Sequence, residues 1–109
     1  MNSGFAWALL ITAGLLEIVW LVAMKQSQGF TKTGPTVIVF VVGTLSFYLL
    51  SLCLKVIPAG TAYAVWTGIG AVGGAIAGIV LFGEARDVWR IASIALVLAG
   101  IAGLKLTAK

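Results

Sequence analysis

The chain is 109 residues long, 61% hydrophobic and only 9% charged, with a formal net charge of +4. A soluble domain carries about 25% charged residues, so this composition excludes one and indicates an integral membrane protein of a single domain. The few cations are scattered, which argues against nucleic-acid binding, and one cysteine with no histidine leaves neither a His/Cys metal site nor an internal disulfide.

The first apolar run, FAWALLITAGLLEIVWLVAM at 5–24, holds one ionisable side chain, Glu17. Twenty helical residues at ~1.5 Å each cover the ~30 Å hydrocarbon core of a bilayer. The run has no Lys or Arg before it, is too long for the apolar part of a signal peptide and is interrupted by Glu17, so it reads as a membrane span that stays in the mature protein. A polar turn, KQSQGFTKT, follows, with Gly29 available to end the helix. The second run starts at Gly34-Pro35 and continues without charge to Leu54; Cys53 within it reads as a free thiol packed as a small hydrophobe.

Lys55 and the Ile57-Pro58-Ala59-Gly60 segment break the chain before a third uncharged run at 61–82. Gly70, Gly74 and Gly78 lie on one face of it, a ridge that permits close helix packing or a local bend. A loop with Glu84, Arg86 and Asp87 leads to the fourth run, 91–104, which gives roughly 21 Å of uncharged helix. Arg90 and Lys105 can snorkel at its ends, and the Ala95, Ala99, Gly103 ridge marks it as a contact between subunits. The expected fold is therefore all-α, with four transmembrane helices at 5–26, 34–54, 60–82 and 88–106.

Four spans put both termini on one side of the membrane. Lys55, Lys105 and Lys109 then lie with the amino terminus, opposite Lys25, Lys32, Arg86 and Arg90. The positive-inside rule has almost no bias to act on. Either copies insert in both orientations, or a weak bias is resolved by something local.

A carboxylate near mid-span costs at least ~2.5 kcal/mol and persists only beside a polar cavity or a partner. One turn from Glu17 stand Gly14, which leaves space, and Trp20, whose face attracts cations. Tyr63 and Trp66 share a face of the third helix, with Thr67 beside them, and each needs an acceptor in lipid; Glu17 is the strongest one available. Ser46 in the second helix either donates to that acid or bonds its own backbone. Burial favours the protonated acid and a bound cation favours the carboxylate, so proton and cationic substrate compete for one site. If the carrier reopens only when loaded, the outcome is obligatory exchange. Alternating access commonly uses inverted repeats, which four helices lack; two oppositely inserted copies sharing one cavity would supply them.

Three segments, GLLEIVW, AMKQSQGF and IPAGTAYAVWTGIGAVG, closely resemble the small multidrug resistance transporters, and the likeness runs over essentially the full chain. GTAYAVW followed by TGIGA looks like the guanidinium-exporter subtype. The multidrug subtype usually has a serine where this chain has Thr67, and a second-helix tyrosine where it has Gly43. The resemblance implies an antiparallel, dual-topology homodimer in the inner membrane that exports guanidinium in exchange for protons. It implies Glu17 as the shared proton and substrate carboxylate. Gly14, Trp20, Ser46 and Trp66 would line or order the site, and Tyr63 would help switch access. The fourth helix would be the dimerisation helix.

Guanidinium suits such a site, being flat, rich in N–H donors that match a carboxylate edge, and weakly hydrated on its faces. The rival readings are a broad exporter of quaternary ammonium drugs, a small cation channel, and a non-transporting assembly subunit. No nucleophile–base pair, metal cluster or phosphate loop suggests an enzyme, and no cofactor is expected.

Overall fold

The computed structural model describes residues 1–107, so Lys109 of the charge comparison lies outside the described residues. The chain forms α1 (Ser3–Gln26), α2 (Thr33–Cys53), α3 (Ala59–Phe82) and α4 (Val88–Thr107). All four are long and apolar enough to cross a membrane. α1 begins before residue 5 because the Asn2 side chain accepts a hydrogen bond from the Phe5 N–H at 2.8 Å and caps the helix. α4 takes Arg90 and Lys105 into the helix, which at 20 residues reaches roughly 30 Å.

The turns have local causes. After α1, Gln28, Gly29 and Phe30 all carry positive φ (50°, 75° and 66°). Ser27 holds that left-handed segment: its Oγ donates to the Met24 carbonyl at 2.6 Å and accepts from the Phe30 N–H at 3.1 Å, and its carbonyl accepts from the Thr31 N–H at 2.9 Å. α3 ends at Gly83, in the left-handed region at φ 65°, with the Glu84 N–H donating to the Gly78 carbonyl.

α1 packs between α2 and α3, whereas α4 leans mainly on α3 and reaches α1 near its end, where the Lys105 ammonium lies 5.2 Å above the centroid of the Trp7 ring. A core of Ala6, Leu10, Ala13, Leu50, Cys53 and Val65 joins α1, α2 and α3 at one end of the molecule. Cys53 is fully buried there, its thiol donating to the Ala6 carbonyl at 3.3 Å. The α1–α3 seam is tighter still. A Cβ added at Gly14 would stand 2.8 Å from Ile69, and one added at Gly74 would stand 2.6 Å from Leu21; Gly73 meets Ile18. Gly78 faces the Glu84 side chain instead, so the glycine face turned to α1 is 70, 73 and 74 rather than 70, 74 and 78.

α4 is set on α3 through Gly68, which receives Ile101. None of its residues is buried, and Gly100 and Gly103 face open space. The molecule measures 42 × 35 × 17 Å, its short dimension little more than one helix diameter of ~10–12 Å. A slab that thin leaves the outer faces of its helices for lipid or another subunit.

Candidate functional site

Two clusters occupy neighbouring turns of α1. In the first, the Trp20 indole N–H donates to Glu17 Oε1 at 2.7 Å. The i, i+3 spacing puts the two side chains on one helix face, within direct hydrogen-bonding reach of each other. Behind the acid lies α3, where a Cβ on Gly70 would stand 3.0 Å from Glu17 Cβ and 3.1 Å from Oε2. Gly70 is therefore the surface against which the carboxylate rests. Trp20 is half-buried and bonded to the acid, so its polar edge is engaged inside the protein.

The second cluster centres on Ser46, fully buried on α2. Its Oγ accepts from the Trp66 indole N–H at 2.9 Å and donates to the Ala13 carbonyl at 2.8 Å. That carbonyl is the one to which an α-helix directs the N–H of residue 17. Ser46 thus ties α2 and α3 to the α1 turn that carries the acid. Trp66 is 5% exposed and flanked by Phe47 and Tyr63, with ring centroids 5.3 and 5.7 Å away.

The sequence-predicted residues therefore fall into distinct places. Glu17 and Trp20 meet directly. Trp66 finds its acceptor in Ser46, not in Glu17, because α2 presents a hydroxyl between α3 and α1. Ser46 bonds neither the acid nor its own backbone but the backbone of α1. Gly14 is buried beneath Ile69, so the space it leaves serves the α1–α3 seam. Tyr63 is 60% exposed on the face of the single chain. The Thr67 hydroxyl turns back to the Tyr63 carbonyl at 2.8 Å.

Sequence reasoning placed Gly70 in a packing ridge and did not connect it to the acid; the link depends on the register between α1 and α3, which no local pattern encodes. Phe47 was missed as well, since an aromatic among the apolar residues of a span carries no signal of its own. Among the described residues no cluster of acids, histidines or cysteines is arranged to hold a metal ion.

Taken together, a half-buried acid with an indole donor and an open glycine backing can hold one small cation or one proton in a low-dielectric setting. Comparison with known proteins agrees with a transport role. Residues 5–97 match the family model described as Small Multidrug Resistance protein. A "Guanidinium exporter" of Yersinia pseudotuberculosis is 55% identical over 101 residues, covering 93% of this chain and 97% of that protein. One of Escherichia coli is 53% identical over 102 residues (94% and 97%), and one of Proteus vulgaris 52% over 101 residues (93% and 97%).

Proposed function

The chain belongs to the small multidrug resistance family, a multi-pass inner-membrane transporter by that membership and by its four spans, and from this premise we propose that it exports guanidinium in exchange for protons. The observation that carries the reading is the Glu17–Trp20 pair, the only acid within any described span, bonded to an indole and backed by Gly70. Close relatives named as guanidinium exporters support the choice of substrate.

The working unit in this proposal is an antiparallel homodimer with dual topology, the Glu17 carboxylates of both copies facing one cavity. The nearly balanced charge on the two sides of the spans supports it, as do the thin slab and the open small-residue ridge of α4. The site residues are Glu17 for proton and substrate, with Trp20, Ser46, Trp66, Tyr63 and Gly14 lining or ordering it. Guanidinium aligns two N–H groups with the carboxylate edge and lays its face against an indole. A proton taken up by Glu17 removes the charge that holds the cation, and the cation leaves. Substituted guanidinyl cations such as guanylurea share the same recognition groups.

Transport into proteoliposomes tests this. A pH gradient alone should drive uphill guanidinium accumulation, and the Glu17→Gln variant should form the same dimer with accumulation reduced to background. Guanidinium affinity should fall as the solution is acidified, by up to about tenfold per pH unit where one proton is displaced. Current without counter-transport would mean a channel. Equal transport of tetraalkylammonium would mean a broad exporter, and pH-driven transport retained in Glu17→Gln would overturn the proposal.

A further inference from the structure

We propose that the end of the molecule formed by the α1–α2 turn binds an anionic phospholipid, with its headgroup between Lys25 and Lys32 and one acyl chain lying along α3. Two adjoining features carry this. The first is a pocket of about 480 Å³ at the end of α1 and the start of α2, lined by Lys25, Gln26, Gln28 and Lys32. Its lining holds two ammonium groups and two side-chain amides, and no carboxylate. The second is a groove of about 330 Å³ between α1 and α3, lined mainly by small and apolar residues such as Leu21, Val22, Ala71, Gly74 and Ala75, with Glu84 and Arg90 also in its lining.

Lys25 and Phe82 line both, so the dibasic pocket opens directly into the apolar groove. The Lys25 ammonium is held at the junction, 4.9 Å above the centroid of the Phe82 ring. Among the described residues neither Lys25 nor Lys32 makes an ion pair; Glu84, the one acid in the lining of the groove, is engaged with Arg90, also in that lining, at 3.1 Å. The Arg90 Nε, at the same end, has no hydrogen-bond partner although it is buried.

Chemistry selects the occupant. Two ammonium groups repel guanidinium, so this is not an antechamber for the proposed substrate. A soluble anion would use the pocket but not the groove. A phospholipid uses both, and Lys25, one residue from the end of a 24-residue span, stands at headgroup depth. Basic residues at that depth draw anionic lipids. The inference does not depend on what the chain transports.

The test is native mass spectrometry of the purified, delipidated full-length protein, titrated with phosphatidylglycerol and phosphatidylcholine of identical chains. Phosphatidylglycerol should bind at least about tenfold more tightly, and the preference should vanish in the Lys25→Gln/Lys32→Gln variant, whose folding is confirmed by an unchanged helical circular dichroism spectrum and an unchanged thermal unfolding midpoint. In the unmodified protein, affinity should rise with acyl-chain length, and millimolar glycerol phosphate should leave the bound lipid in place. Equal binding of the two lipids, as when a second subunit covers the groove, would overturn the proposal. So would a preference that survives loss of both lysines. Displacement by glycerol phosphate, or indifference to chain length, would show a free-anion pocket instead and equally refute it.

Discussion

At the scale of single residues, the state of Glu17 is governed by what lies within one bond of it. Gly70 is the position where substitution speaks most directly to the site. A methyl group there would stand 3.0 Å from Glu17 Cβ and 3.1 Å from Oε2, crowding the oxygen that Trp20 leaves free. Gly70→Ala should weaken guanidinium binding by about tenfold or more, a loss of ~1.4 kcal/mol, as read by calorimetry. Gly60→Ala, with nothing within 4 Å of the new carbon, should leave binding unchanged and serves as the comparison. Ser46→Ala removes both an acceptor and a donor from a fully buried position and leaves the Trp66 N–H unpaired. It should destabilise the protein by about 1–2 kcal/mol in reversible unfolding from detergent.

These residues were not equally legible. Glu17 and Trp20 belong to one helix, and i, i+3 spacing alone brings them together, so their pairing is readable from the order of the amino acids. The bond from Trp66 to Ser46 joins two helices, and the bond from Ser46 to Ala13 brings in a third. Both depend on how far one helix is slid along another, and glycine-rich, uniformly apolar faces leave that register unspecified in sequence. Gly14 shows the same limit: its smallness was evident, but whether the space went to a ligand or to Ile69 was not.

At the scale of elements, the spans were legible because hydropathy and length are properties of each segment alone. α4 is the instructive case. Its ridge of small residues suggested a partner, and the fold leaves Gly100 and Gly103 facing open space while Gly68 of α3 is filled by Ile101. One side of α4 is thus satisfied within the chain and another is not. If the open ridge is where two copies meet, Gly103→Leu should convert dimer to monomer in cross-linking assays while the helical circular dichroism stays intact. A variant that remains fully dimeric would move the interface to another helix. The α1–α2 connection, by contrast, is internally fixed: three consecutive residues at positive φ are held by one serine. That makes α1 and α2 a stiff hairpin.

At the scale of the whole molecule, topology and assembly are linked. A chain with four cations on one side and nearly as many on the other has little to orient it. Reporter fusions at the carboxyl terminus should therefore register both orientations in comparable amounts. Two lysines added to the α3–α4 loop, on the side of Arg86 and Arg90, should push the population to one orientation. On the dual-topology proposal that variant loses transport when expressed alone and recovers it beside a copy biased the other way. Failure of the pair to complement would refute a mixed-orientation dimer.

The seam between α1 and α3 has a mechanical consequence. Ile18 and Leu21 protrude from one side, and on the other, at Gly73 and Gly74, there are no teeth for them to mesh with. Interlocked side chains resist sliding because each ridge must climb over the next; a smooth track does not. At that turn the α1–α2 hairpin meets no interlocking on α3, so the catches that any travel along α3 would have to release are Ile69 seated on Gly14 and the Ser46 latch, which grips α1 and Trp66 together.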